Sequence, residues 1–234
     1  MEYHISHRHR TIISADGFGI SPRANRNTRY LLSLGKINRI GVMVNGVFSS
    51  EEIKELLKSN AKIDIHLDIS DKSSGKKQTQ TGNFRRMAGL FLKLFIRKSF
   101  AKRVETEWKE QIEKFIQIFG KKPDGISSHQ HVHFLPPLFK VALKLQTEYS
   151  IPYIRFGKKV FTPGNKPAAR ILNWLRLVNC KACRKADCVS SENFIILEWI
   201  GNVEKFLNSF PEGTVEIACR PEFAHDFVKI KQYF

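Results

Sequence analysis

Thr11–Val44 reads TIISADGFGISPRANRNTRYLLSLGKINRIGVMV, and the order of its parts points to the fold class. Thr11–Ser14 is a short β-branched run leading into Ala15-Asp16-Gly17-Phe18-Gly19. β-branched side chains suit a pleated, half-buried surface. Asn25–Leu34 predicts a helix closed by Gly35, the residue type that most readily takes the left-handed turn at a helix C-terminus. Ile40–Val44 is a second buried-strand run, ended by Asn45-Gly46. Strand, helix, strand is thus the first unit.

The alternation continues. Ser49 or Ser50 caps a helix running through Leu57, with Glu51 and Glu52 at its positive end. Ile63–Ile69 predicts a strand, followed by a polar loop from Ser70 to Gly82. Phe84–Gly120 reads as mostly helical, with Val104, Trp108, Ile112, Phe115, Ile116 and Phe119 on one buried face. Gly125–Ser128, Tyr153–Phe156, Phe194–Glu198 and Thr214–Ala218 are further strands; Leu138–Tyr149 and Asn202–Phe210 are helices between them. Pro163–Ser191 shows the least regular pattern. Repeated strand–helix order implies an α/β protein with a parallel sheet, open or closed into a barrel. With no internal repeat or domain boundary, the 234 residues read as a single domain, 1–234.

Composition narrows the function classes. Hydrophobic residues make up 42%, enough for a substantial core, and with 26% charged residues the composition excludes a disordered chain. The sign is biased: 39 Lys and Arg stand against 22 Asp and Glu, a formal +17. Such a field favours anionic partners, whether nucleic acid, anionic lipid or acidic glycan. No nucleic-acid-binding motif accompanies it, so no specific nucleic-acid partner is expected. The N-terminus MEYHISHRHRTIIS has no apolar run that would make a signal peptide, and no stretch is long and apolar enough to span a bilayer. A cytoplasmic protein, peripheral at the inner membrane surface if membrane-bound, is the expectation. The reduced compartment makes disulfides among Cys180, Cys183, Cys188 and Cys219 unexpected, and the three close cysteines make a weak zinc pattern.

Four strand ends carry polar clusters, where functional residues gather in parallel α/β folds. They are Asp16 in ADGFG, His66 in IDIHLDIS, the run His129-Gln130-His131-Val132-His133 after ISS, and Cys219-Arg220-Pro221 after VEIA. If the run is extended, His129, His131 and His133 share one face. Imidazole is a common metal ligand, but spacing alone leaves metal binding and an ordinary surface cluster both open.

Taken in order, ISADGFGIS, VMVNG, IDIHLDIS, the long helix before DGISSHQHVHFLP, IPYIRF and VEIACRPEF resemble the YdjC-like carbohydrate deacetylases from about Thr11 to Asp226. The resemblance implies an irregular, TIM-like (β/α) barrel of parallel strands. It implies metal-dependent hydrolysis of N-acetyl groups from amino sugars or oligosaccharides. It also implies a divalent ion, Mg or Zn, held by His66 and His129, with Asp16 as general base. Asp68, His131, His133, Arg155 and Arg220 are then expected to bind substrate or support the ligands. A non-catalytic glycan-binding or regulatory relative on the same fold is the alternative, because three positions depart from the family pattern. Gly17 replaces the metal-binding Asp, Ser127 replaces an Asp before Ser-His, and Arg220 replaces a His. Asp68 lies two residues beyond His66, so strand alternation would let it replace the lost carboxylate, directly or through water; the alternatives are a solvated loop acid or a support for His66. Homo-oligomers remain compatible with all of this.

Met87–Phe100, MAGLFLKLFIRKSF, has broad apolar surface among basic residues. Core packing against the barrel and a lid or helix on an anionic membrane surface are the two readings it allows.

Overall fold

The computed structural model describes residues 10–69, 98–159 and 166–234. Six strands pair in parallel throughout: β1 (Thr11–Phe18), β2 (Arg39–Val42), β3 (Lys62–Leu67), β4 (Ile126–Ser128), β5 (Asn193–Ile196) and β6 (Val215–Cys219). Their order is β4-β3-β2-β1-β6-β5. The connecting helices are α1 (Pro22–Ser33), α2 (Ser50–Lys58), α3 (Lys98–Phe119), α4 (Pro136–Glu148), α5 (Pro167–Lys185) and α6 (Val203–Asn208); α7 (Ala224–Tyr233) follows the last strand. The sheet curls into an incomplete TIM-like barrel. Its two edges, β4 and β5, are linked by an irregular stretch of backbone. Arg155 N–H donates to Ile126 C=O (2.9 Å) on one side; Ile154 N–H donates to Val189 C=O and Lys158 N–H to Ser191 C=O (both 3.0 Å) on the other. The expected strand at Tyr153–Phe156 is therefore a single parallel bridge, Ile126 to Ile154.

Local chemistry explains the elements. Ser21 caps α1 by accepting from Ala24 N–H, and Pro22 occupies the first turn, where its missing N–H costs nothing. Ser49 and Glu52 form a reciprocal capping box on α2. On α3, Val104, Trp108, Ile112, Phe115 and Phe119 lie buried at helical spacing, as their pattern predicts. Along β1, Ile13 and Ala15 join the apolar layer under the helices, while Ser14 and Asp16 bond with Arg155 on the other face. β3 behaves alike: Ile63 and Ile65 join that layer, whereas Asp64 and His66 make polar contacts inside the barrel.

The barrel interior is consequently ionic. Arg155 is fully buried; its Nη1 and Nη2 donate to the two carboxylate oxygens of Asp16 (2.6 and 2.8 Å) and its Nε donates to Glu216 (2.7 Å). Arg155 Nη2 also donates to Ser14 Oγ, and Tyr153 O–H donates to the other oxygen of Glu216 (2.7 Å). Deeper in, Arg39 donates to Asp64 (2.6 Å) and lies 3.9 Å over the Tyr153 ring. Charges taken this far from water must be paired and hydrogen-bonded.

Three differences from the sequence reading have physical causes. Pro163–Ser191 contains α5, whose apolar residues face both inward (Leu175) and outward (Trp174, Leu177), so no single stripe shows. The β5 run stops at Ile196, with Leu197–Trp199 a 3-10 turn. Cys183 and Cys188 form a disulfide, contrary to the expectation of thiols: Cys188 N–H bonds Cys183 C=O as α5 ends, bringing their Cα atoms to 5.3 Å. The polar loop and nearly all of Met87–Phe100 lie outside the described residues; only Lys98–Phe100 falls inside, at the start of α3, with Phe100 buried.

Arg155→Met leaves Asp16 and Glu216 charged and unpaired inside the barrel. Urea unfolding at pH 7 should show a loss of about 3–5 kcal/mol. Adding Glu216→Gln should recover part of it. A loss below about 1 kcal/mol would mean that water reaches these carboxylates.

Candidate active site at the C-terminal ends of the strands

β1 and β3 deliver Asp16 and His66 at adjacent places in the sheet, separated only by Gly41 of β2. A Cβ at Gly41 would lie 3.1 Å from Asp16 Oδ1 and 3.3 Å from His66 Nδ1, so any side chain there crowds the pair. Asp16 Oδ1 and His66 Nδ1 are 3.9 Å apart. Beyond β4, His129 presents its ring edge-on to His66, with centroids 6.0 Å apart. The structure thus brings Asp16, His66 and His129 together from three strand ends.

Asp16 is buried yet held ionised. Burial works to raise its pKa, but the Arg155 charge, with lesser help from His66 and the Arg155 hydrogen bonds, brings it down to about 2. His66 goes the other way: burial, opposed by Asp16 and aided by the neighbouring His129, lowers its pKa to about 3. It is a neutral imidazole at ordinary pH. Its Nδ1 contacts Ser127 Oγ (2.8 Å), whose hydroxyl also approaches Ile65 C=O (3.4 Å). If the hydroxyl donates to that carbonyl, His66 Nδ1–H donates to Ser127 and Nε2 carries the lone pair.

The His129–His133 run is not extended. It is two 3-10 turns joined across a kink in which Gln130 and His131 both have φ 55°. The three histidines therefore do not share a face. His133 is fully buried, with Nε2 2.9 Å from Arg155 C=O and Nδ1 2.6 Å from Ser128 Oγ. A carbonyl only accepts, so His133 is the Nε2–H tautomer, and Ser128 O–H donates to Nδ1. Burial, only partly offset by that Arg155 contact, brings its pKa to about 3. Its role is to fix the Arg155 backbone. His131 packs edge-on against Phe134 and Phe194, and its buried Nδ1 has no hydrogen-bond partner among the described residues.

The remaining predicted residues sit as follows. Arg155 is committed to Asp16, Glu216 and Ser14 and has no exposed surface for a substrate. Asp68 lies past the end of β3; its carboxylate accepts from Ile69 N–H (2.8 Å), and its backbone is held by Gln111 and Trp108. Arg220 donates to Glu198 (2.6 Å) and lies over the Phe223 ring, so its charge has a partner on the rim. Glu216, Ser14 and Gly41 complete the interior but were not singled out from sequence. Glu216 sits inside the quoted VEIACRPEF, and its alternation with buried Val215 and Ile217 was the available signal.

The divalent ion implied by the resemblance can be tested against this donor set. His66 Nε2 and His129 are suitable imidazoles. Position 17 is glycine, with φ 89° at an irregularity in the β1–β2 register. Among the described residues no group of three His, Cys, Asp or Glu side chains is placed to hold an ion. The residues present do not fit the three-ligand set; they fall one carboxylate short.

A parallel α/β barrel with a carboxylate and two imidazoles at the C-terminal ends of its strands defines a class of barrels with a polar cluster at that end. More narrowly, the chain belongs to the YdjC-like protein family, whose profile matches residues 10–232. Similar proteins include a carbohydrate deacetylase of Clostridium beijerinckii, 30% identical over 61% of this chain and 58% of that protein. The mouse carbohydrate deacetylase is 24% identical over 63% of this chain and 50% of that protein. A chitooligosaccharide deacetylase of Escherichia fergusonii is 25% identical over 67% and 63% respectively. The matched part of the chain spans about half the length of the curated relatives it matches. A provisionally named cellobiose-phosphate cleavage protein from Enterococcus faecalis shares the fold, with a TM-score of 0.62 at 21% identity, covering 94% of this chain and 83% of that one. Among the described residues, no helix is long and apolar enough to cross a membrane.

The depressed histidine pKa values fix a pH dependence. A histidine with a native pKa near 3 and an unfolded one near 6.5 leaves stability intact above about pH 6.5 and erodes it as pH falls toward 3. With His66, His131 and His133 all held neutral by burial, and Asp64, which burial raises to about 6, opposing them by one proton, unfolding free energy should fall between pH 6 and 4 by up to about 2.7 kcal/mol per pH unit. His133→Gln should reduce that slope by about half. A flat profile over this window would show that the histidines are not held neutral as a set.

Proposed function

We propose that this protein is a carbohydrate deacetylase acting on N-acetylated amino sugars or oligosaccharides, with Asp16 as the base. Family membership supports the reaction class, and the Asp16–His66–His129 cluster is the observation that carries the reading. In amide hydrolysis, water oxygen bonds to the carbonyl carbon, the C–N bond breaks, and a proton passes from the water to the departing nitrogen. Asp16, ionised and fixed by Arg155, takes that proton and can return it to the amine. The neutral imidazole of His66 borders the carboxylate, His129 stands edge-on beyond it, and the two orient polar groups of the sugar or the water. Glycine at position 41 keeps the space beside Asp16 and His66 free of a side chain.

A second reading, a glycan-binding relative without turnover, is favoured by one observation: the donor set lacks its third ligand. The two separate in one assay of acetate release from a panel of N-acetylated amino sugars, with Zn2+ or Mg2+ supplied. Measurable release that falls by about 10²–10⁴ in Asp16→Asn supports the hydrolase, since a positioned acid–base group contributes that much. Saturable sugar binding with no release from any substrate passes the case to the binding reading. Equal release by wild type and variant would remove Asp16 from the mechanism.

The metal is tested apart from turnover. Calorimetric titration of the wild type with Zn2+ should show weak binding that dialysis removes, and His66→Ala should abolish it. Gly17→Asp should tighten it at least tenfold, with a lowered melting temperature because position 17 holds a positive φ that L-residues take under strain. Unchanged affinity in Gly17→Asp would dissociate position 17 from metal binding.

A further inference from the structure

The outer face of α5 is built the wrong way round for a water-exposed helix. Ile171, Trp174, Leu177 and Val178 are 38%, 54%, 58% and 47% exposed. Spacings of three and four residues put them on one strip, opposite Ala169, Leu175, Asn179 and Cys183, which face the protein. The same strip continues through Arg170, Lys181, Arg184 and Lys185, all exposed. Every charged side chain on the helix is cationic, and no acidic residue occurs between Pro167 and Lys185. Among the described residues, none of these four cations pairs with a carboxylate. A helix stabilised only by packing has no use for an exposed tryptophan among leucine, isoleucine and valine.

We propose that the outer face of α5 docks this protein on an anionic lipid bilayer. Trp174, Leu177, Val178 and Ile171 would enter the headgroup–acyl boundary, and Arg170, Lys181, Arg184 and Lys185 would lie among the lipid phosphates. Charge complementarity selects this occupant. Apolar side chains interleaved with unpaired cations match a surface that is apolar below and negative above. An apolar partner protein would leave the cations buried without counter-charges, and a second copy would bring its own +17. The orientation suits access. At the N-terminal end of α5, Lys166 Nζ donates to Glu198 C=O (2.8 Å), and Glu198 accepts from Arg220 just beyond β6. That end of the helix therefore stands at the C-terminal end of the barrel, beside the residues that follow β5 and β6. The docking surface is independent of whether the cleft catalyses.

Co-sedimentation with phosphatidylcholine vesicles, with and without about 30% phosphatidylglycerol, decides it. The wild type should pellet with the anionic vesicles at low salt, and its partition should fall at least tenfold on neutral vesicles or in high salt. Trp174→Ser with Leu177→Ser, and separately Lys181→Glu with Arg184→Glu, should each reduce partition at least tenfold while leaving the melting temperature unchanged, because all four side chains are exposed. Vesicles should shift the tryptophan emission to the blue in wild type and not in Trp174→Phe. Three outcomes overturn the proposal: a wild type that stays in the supernatant at every composition, binding that both double variants retain, and a dimer that Trp174→Ser dissociates in the absence of any vesicle binding.

Discussion

The guanidinium of Arg155 is the constraint around which the barrel is arranged. It enters from the irregular stretch that joins the two sheet edges and makes charge-assisted contacts with Asp16 on β1 and Glu216 on β6. Those contacts tie the closing segment to strands on the far side of the interior. Without them, Asp16 would lie buried without its guanidinium, and Glu216 would keep only Tyr153 and the more distant Arg39, at a cost that apolar packing around them does not offset. Tyr153 and Arg39 extend the same network, so the interior is satisfied as a unit rather than pair by pair. His133, neutral and fully buried, holds the Arg155 carbonyl and so sets the backbone from which the guanidinium reaches.

The same network sets the chemistry of the cleft. A carboxylate engaged by two guanidinium N–H groups is ionised at any physiological pH, but it is also a weak base because its charge is already stabilised. Asp16 can therefore hold a position and accept a proton only transiently, which suits a group that must return it to a leaving amine. Ser127 makes a comparable bargain. A hydroxyl orients His66 as a carboxylate would, yet adds no negative charge, so the imidazole gains direction without basicity. The loss of a carboxylate at Gly17 points the same way. Among the described residues, these strand ends thus carry one carboxylate fewer than the resemblance implies.

Legibility in the sequence followed the strength of the local pattern. The parallel α/β class was readable because Thr11–Ser14, Ile40–Val44 and Ile63–Ile69 are β-branched runs between helical periods. Asp16, His66 and the His129 run were readable as strand-end clusters, but their roles as base and ligands came only through the resemblance, since nothing in their spacing says that β2 brings β1 and β3 together. The histidine run misled because alternation assumes an extended backbone, whereas Gln130 and His131 take left-handed angles that turn the chain. Arg155 was expected near substrate. Its actual partners lie 139 and 61 residues away in sequence, and such pairings are tertiary facts that no local window contains.

The segment that resisted reading most, Pro163–Ser191, did so for a reason with consequences. Periodicity identifies a helix by the contrast between its two faces, and α5 has apolar residues on both. Its inner face is accounted for by Leu175 and Cys183 against the core, and by Asn179, which donates to Phe134 C=O beneath the histidine run. Polar residues on the outer face would have cost the fold nothing and would have restored the stripe. An outer face that is apolar and cationic together is therefore not explained by folding, and it must be explained by what lies against it. The disulfide between Cys183 and Cys188 closes the last turn of this helix onto the following loop. It secures the C-terminal end while Lys166 anchors the other through Glu198. A helix fixed at both ends with its apolar side outward is a rigid platform, and rigidity lowers the ordering cost of laying that side on a surface.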